Sequence, residues 1–461
     1  MMHLSELANV THGQLRGSDV LFTSVGTDSR NIAKGQLFVA IKGEKFDGNV
    51  FAADAVKQGA AAALVSDAAV SGIPNVLVPN TRQALGELAR HWRAAHALKL
   101  VAVTDSNGKT TVKEMIAAIL RAEGDNVLAT RGNLNNDIGM PLTLLNLNER
   151  HHYAVIEMGM NHEGEIRYLT NIARPDVALV NNAGTAHIGE LGSREAIARA
   201  KGEIYEGLSN QGVAIINADD DFADYWRSLN QGRQVLTFGM QKPADISVKT
   251  AALQANQDAA SRSMVLMTPQ GEIAVELHMP GEHNVRNALA ATAAALALGV
   301  PLTAIQHGLN SFSGVQSRLA CFKGLHGALV IDDTYNANPD SMKAALDVLS
   351  SRVGRKVFVM GDMGELGVDS PKMHAEIGAY AKQNGIDQML CLGENTAHAA
   401  QAFGAGATHF TLLQALLDEL SGLMREGMTV LVKGSRFMQM ERVVRAIVNE
   451  DDSMKMIGSA H

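Results

Sequence analysis

Sulfur chemistry has little to work with in this chain: 461 residues contain two cysteines, Cys321 and Cys391. They stand far apart, with no Cys or His at metal-ligand spacing, which excludes a disulfide scaffold and a zinc site and fits a reducing compartment. Positive charge is not in excess either. The formal net charge is -8, from 40 Lys and Arg against 48 Asp and Glu, and no segment concentrates basic residues, which argues against nucleic acid as a partner. Long apolar runs are missing too. The longest, about 288–300, is too short to cross a bilayer, and the opening MMHLSELANV lacks a charged flank followed by an apolar signal core. These absences lead us to expect a cytoplasmic protein with no membrane insertion.

What is present is a globular composition, 46% apolar, on a length that suggests three domains at roughly 150 residues each. The runs KLVAVT, YAVIEM, DVALVNN and VAIINAD alternate with helical stretches such as 193–208, the pattern of a parallel sheet in an α/β domain. We place this central domain, P-loop ATPase-like, at 98–315. A second alternation begins with GALVIDDT and runs through KVFVMGD, QMLCLG and TVLVKG, giving a Rossmann-like C-terminal domain at 316–461. The first 97 residues, with short strands at QLFVAI and NVLVP and a helix near 82–95, form a small α/β domain of their own.

The central domain opens on VAVTDSNGKTTVKEM. A buried strand precedes DSNGKTT, and Val112, Met115, Ile116, Ile119 and Leu120 follow at helical spacing. A strand, loop and helix of this kind aim backbone N–H groups at an anion, with Lys109 as a point charge and a Thr hydroxyl available to Mg²⁺. The full Walker spacing would require Gly where Val103 stands, so only the Gly-Lys-Thr core is present. The bland alternative is a Gly turn before a helix capped by Thr110.

Other candidates are individually weak. Glu157 closes the strand YAVIEM, so its carboxylate would emerge at the sheet edge where α/β ligands bind; a solvated strand-end acid is the plainer reading. His187 lies just beyond the next strand, at the same edge, and a lone loop His is usually a surface group. Lys201 sits in an amphipathic helix, where composition gives it no role. Asn284 and Asn287 share a helical face and could present amides to a purine edge, or Asn284 could cap the helix. Asp332 and Asp333 end the first strand of the C-terminal domain, where an acid can hold a ribose hydroxyl or shape a turn.

Taken in order, TDSRNIAKGQLFVAIKGEKFDGNVF, NLNNDIGMP, AKGEI, DDTYNANP, GDMGELG and LVKGSR resemble the Mur ligase family over essentially the whole chain. The resemblance implies an ATP-dependent ligase whose ATP-binding loop comprises Asp105, Ser106, Asn107, Gly108, Lys109, Thr110 and Thr111, with Lys109 and the backbone of Asn107 to Thr111 holding the phosphates. It makes Lys109, Glu157, His187 and Lys201 catalytic. Thr110, Glu157 and His187 would be metal ligands with Lys201, which would carry a carboxylate added from CO₂ and hold a second Mg²⁺. Asn284, Asn287, Arg318 and Asp333 would meet the nucleotide, Ser29 and Arg30 the UDP end, and Asn135 and Asn136 the peptide. The implied substrates are UDP-N-acetylmuramoyl-tripeptide and D-alanyl-D-alanine, joined through an acyl phosphate by a monomer with ATP and Mg²⁺. A sibling ligase adding a different residue, a folylpolyglutamate synthetase and a non-catalytic nucleotide-binding homologue are the competing readings. The UDP-like first domain argues against the folate enzyme. Asp105 is the support for the non-catalytic reading, because family members usually carry Gly there. We expect its carboxylate to turn from the phosphates or toward a cation, weakening ATP binding without removing it and leaving stability nearly unchanged.

Overall fold

The structure, a computed structural model, describes residues 1–44, 46–249, 254–255 and 261–449. Runs such as Gln36–Val39 and Ala62–Val65 are apolar almost throughout and buried, as strands covered on both faces must be. They belong to a five-stranded sheet in the order Gln14–Arg16, Asn75–Leu77, Ala62–Val65, Gln36–Val39, Ser24–Gly26, parallel except for the first pair. Helix Thr81–Ala94 begins where the Asn80 side chain accepts from the N–H groups of Arg82 and Gln83.

The run KLVAVT is strand Lys99–Thr104, buried at every position but its first. It lies inside an all-parallel six-stranded sheet ordered Gln234–Phe238, Val213–Asn217, Val177–Val180, Lys99–Thr104, Tyr153–Glu157, Val127–Ala129. From Lys99–Thr104 the chain goes out to the edge strand Val127–Ala129, returns to Tyr153–Glu157, and crosses to the opposite side at Val177–Val180. Loops following these strands diverge around the end of Lys99–Thr104, and such a switch point opens a crevice. Helix Lys109–Ala122 leaves that crevice and buries the apolar stripe read from the sequence against Glu282–Ala297 and Leu302–Asn310. The apolar stretch from 288 is thus mostly a buried helix. Among the described residues no helix is long and apolar enough to cross a membrane. A small antiparallel sheet of Ser247–Val248, Gln254–Ala255, Arg262–Thr268 and Gly271–Leu277 interrupts the alternation, an element the sequence reading did not include.

The third sheet runs Ala320–Lys323, Leu329–Asp333, Met428–Lys433, Arg355–Gly361, Gln388–Leu392, Ala407–Phe410, parallel except for its first pair. Helix Pro339–Ser350 is opened by a capping box between Asn338 and Ser341 with Pro at its start. The first two units share one apolar core, in which Leu4, Leu64 and Leu88 join Leu100, Ile156 and Trp226. The third has its own cores on either face of its sheet. Among the described residues, nothing beyond 315 enters the cores of the first two units. A unit joined to its neighbour by polar contacts rather than a shared core is free to move as a body.

Candidate active site

A cleft of about 1750 Å³ opens at the switch point and is lined by all three units, from Asn80 and Arg82 through the 105–109 loop to Asn338, Lys433 and Phe437. Gly108 takes φ 112, and a Cβ there would lie 2.7 Å from Asn287 Oδ1 and 2.8 Å from Asn181 Nδ2, so the loop folds this tightly only with glycine. Asn182 holds the loop from the neighbouring strand end: its Oδ1 accepts from Asn107 N at 3.0 Å, and its Nδ2 donates to Asn107 O at 2.6 Å. Ser106 Oγ accepts from Gly184 N at 2.9 Å. The helix that follows carries Thr110 and Thr111 in its first turn, with its N–H groups at the cleft.

Asp105 is wholly buried. Its Oδ1 lies 3.3 Å from Lys109 Nζ, and its Oδ2 accepts from Asn181 Nδ2 at 3.3 Å. Its backbone carbonyl accepts from both Lys109 Nζ and Lys201 Nζ, the latter at 2.8 Å. Lys201 is therefore not a solvated helix residue. Its side chain is buried, and burial first, then the neighbouring Lys109 charge, pushes its pKa well below the ordinary lysine value, with Asp105 opposing.

Across the loop, Glu157 is 3% exposed at the end of its strand, which rules out the solvated-acid reading. Its Oε2 accepts from Thr110 Oγ1 at 3.0 Å and its Oε1 from Asn135 Nδ2 at 2.8 Å, while its backbone N–H donates to Thr130 Oγ1. Thr110 Oγ1 also accepts from Arg318 Nη2 of the third unit at 3.0 Å, and that guanidinium lies over the Tyr335 ring. A hydroxyl and a carboxylate side by side are hard oxygen donors that suit Mg²⁺. Among the described residues no group of three or more His, Cys, Asp or Glu converges as a metal cage. Mg²⁺ tolerates this, since it usually takes one or two carboxylates and completes its shell from phosphate oxygens and water.

The third unit meets the loop at further points. Asn338 Nδ2 donates to Asn107 Oδ1 at 2.7 Å, and Asp340 Oδ2 accepts from both the N–H and the hydroxyl of Thr185 at 2.8 Å. His187 Nδ1 is in ion-pair contact with Glu365 Oε2 at 2.8 Å, and that contact holds the Glu365 carboxyl below its usual pKa. Asp333 lines the cleft with its Oδ2 2.6 Å from Lys433 Nζ, whereas Asp332 is turned inward to Thr334 and Ser317.

The expected residues therefore do not all gather in one way. Asn284 and Asn287 line the cleft with some of their amide atoms already engaged: Asn284 Nδ2 donates to Pro280 O, and Asn287 bonds both Asn284 and Asn181. Asn135 reaches Glu157, while Asn136 Oδ1 accepts from Gly139 N and so opens the helix Gly139–Leu144. Ser29 and Arg30 are not part of the cleft lining, and the Arg30 guanidinium is tied to Asp28. Asn181, Asn182, Asn338, Asp340, Glu365 and Lys433 were not singled out by sequence reading. The last two lie in GDMGELG and LVKGSR, motifs recognised as wholes without assigning these side chains.

Fold and site together define a three-unit α/β protein whose phosphate-type loop faces a cleft closed by its C-terminal unit. The chain belongs to the Mur ligase family, the ATP-dependent amide ligases. It matches the Mur ligase family catalytic domain over 21–93, the Mur ligase middle domain over 103–295, and the Mur ligase glutamate ligase domain over 317–436. It is 44% identical to the UDP-N-acetylmuramoyl-tripeptide--D-alanyl-D-alanine ligase of Escherichia coli (strain K12), over 96% of this chain and 98% of that one. Among solved structures it is similar to MurF from Acinetobacter baumannii, with 40% identity, TM-score 0.89 and 98% of each chain covered. It is also similar to the MurF ligase of Thermotoga maritima in complex with ADP, with 28% identity, TM-score 0.83, and 96% of this chain and all of that one covered.

Proposed function

We propose that this chain joins the amine of D-alanyl-D-alanine to the terminal carboxylate of UDP-N-acetylmuramoyl-tripeptide, driven by ATP, in a cytoplasmic step of peptidoglycan synthesis. The observation that carries the reading is near-full-length similarity to ligases of that name, including one at 44% identity, combined with a cleft lined by Lys109, Glu157 and Arg318, with Thr110 bonded to the last two and Lys201 to the Asp105 carbonyl just behind it. The ADP complex of the Thermotoga maritima relative supports ATP as the nucleotide.

The chemistry follows from the need to activate a carboxylate. The peptide carboxylate attacks the γ-phosphorus, ADP leaves, and an acyl phosphate forms. The dipeptide amine then adds to the acyl carbon, loses a proton, and expels phosphate to leave the amide. Lys109 and Arg318 bring positive charge to the transferring phosphoryl group. Thr110 and Glu157 would hold Mg²⁺, which would offset phosphate charge, and His187 would join them from the rim. Lys201, buried and with its pKa depressed, offers the neutral amine that CO₂ needs as a nucleophile. The resulting carbamate would be a second anionic site for Mg²⁺. Asn284, Asn287 and Asp333 would face the nucleoside, and Ser29 and Arg30 the UDP end.

The test is phosphate release from ATP with each substrate omitted in turn, using tripeptides ending in meso-diaminopimelate or lysine. Release is expected only with Mg²⁺, tripeptide and D-alanyl-D-alanine together. Equal release with and without tripeptide would reduce the chain to a plain ATPase.

A further inference from the structure

We infer that Glu365 is a positioning residue that acts through His187, fixing the cleft rim of the central unit as the C-terminal unit closes. Four observations meet at this contact. His187 and Glu365 come from different units and touch at 2.8 Å. Both are non-glycine residues in left-handed backbone, with φ 64 and 63, a conformation that persists only where its surroundings impose it. Two turns away from ordinary geometry face each other. Gly189 N donates to Glu365 O at 3.2 Å, and a Cβ at 189 would lie 2.7 Å from that oxygen and 2.9 Å from Gly367 N, so the two backbones approach as closely as glycine allows. Finally, the Glu365 loop is braced from behind: Met363 N donates to His374 Nε2 at 2.9 Å, and Gly364 N donates to Ser435 Oγ at 2.8 Å. His374 is fully buried, so the loop meets the central unit already shaped.

An ion pair with a half-exposed carboxylate contributes little to stability. Its value lies in geometry. The carboxylate stands 2.8 Å from His187 Nδ1, a buried nitrogen with no aligned hydrogen-bond partner in this arrangement, and a carboxylate on one ring nitrogen is the usual means of orienting a histidine that works at a site. Because the carboxylate here belongs to the moving unit, His187 is set only when the cleft is closed and water is kept from the acyl phosphate. This role in turnover rests on the ligase reading, whereas the closure it describes does not.

The experiment uses the full chain. Small-angle scattering with a non-hydrolysable ATP analogue and Mg²⁺ reads closure, and steady-state ligation reads turnover. Glu365→Gln and Gly189→Ala, which reach the contact by different routes, should both weaken compaction and lower kcat about tenfold while ATP KM moves less than about twofold. Glu365→Asp should recover part of both, and melting curves confirm that each variant is folded. Compaction of Glu365→Gln and Gly189→Ala equal to the unaltered chain, with unchanged kcat, overturns the inference. If the unaltered chain makes no amide, the ligase reading fails, and the compaction of the variants still decides the inference.

Discussion

Asp105 and Lys109 face each other across one turn of the phosphate loop, carboxylate Oδ1 to ammonium Nζ at 3.3 Å, with the carboxylate wholly buried. The carboxylate has thus turned toward a cation, one of the two orientations expected of it, and it shares Lys109 with any phosphate that enters. At about 6 Å and an effective dielectric near 20, a unit-charge pair is unfavourable by roughly 3 kcal/mol before screening. Asp105→Gly should therefore tighten ATP binding, by about tenfold or ~1.4 kcal/mol after screening. The burial revises the expectation for stability. Removing a paired, buried group and adding glycine freedom should lower ligand-free stability by about 1 kcal/mol. Titration calorimetry and urea unfolding measure the two effects, and unchanged ATP affinity would place Asp105 outside the electrostatic reach of the nucleotide.

Lys201 is buried with its amine on the Asp105 carbonyl. Lys201→Ala should abolish turnover while leaving the fold intact, and a small carboxylate such as acetate should restore part of the rate by filling the place of the carbamate. Carbon-13 NMR of the unaltered chain in labelled bicarbonate should show a carbamate carbon that the variant lacks. Full activity in Lys201→Ala would remove the residue from the mechanism.

Local patterns made much of this structure legible. KLVAVT and the stripe Val112 to Leu120 read correctly because strand and helix leave periodic marks, and the place of Glu157 was legible because a strand-end acid has one edge from which to emerge, although its burial was not. What stayed hidden depends on distance in sequence. Asn338 bonds Asn107 across 231 positions, and Arg318 bonds Thr110 across 208. Neither pairing leaves a periodic trace, so the family resemblance pointed to Arg318, while Asn338 was only a letter within DDTYNANP, a motif recognised as a whole. Lys201 is a related case: its helix looks amphipathic, and only tertiary packing shows that the lysine is on the inner side.

His283, next to Asn284 at the start of helix Glu282–Ala297, is held neutral: burial, with Arg286 and Lys433 adding and Asp333 opposing, pushes its pKa down to about 4 from an ordinary 6.5. The unfolded chain therefore takes up a proton at a pH where the folded chain refuses it. Stability from this group is complete above about pH 6.5 and falls away as the pH drops toward 4. We expect a loss of about 1–2 kcal/mol, allowing for the ring's partial exposure. Urea midpoints at pH 7 and pH 5 should fall less in His283→Asn than in the unaltered chain; parallel declines would show that the imidazole is not responsible.

Gly108 and Gly124 offer a controlled comparison at the two ends of one helix. Both have positive φ, 112 and 92, so Ala at either position is strained by its backbone. Their surroundings differ. A Cβ at 124 meets nothing within 4 Å, whereas one at 108 would press on Asn287 Oδ1 at 2.7 Å and Asn181 Nδ2 at 2.8 Å, atoms that shape the phosphate loop. Gly124→Ala should cost about 1 kcal/mol of stability and leave ATP affinity alone. Gly108→Ala should cost about 1–3 kcal/mol, because strain and displacement add, and should weaken ATP binding by at least about tenfold. The difference between the variants isolates the close approach from the backbone conformation. Equal ATP affinity in both would mean that the Asn181–Asn287 pair can give way freely, and that the loop's shape does not depend on it.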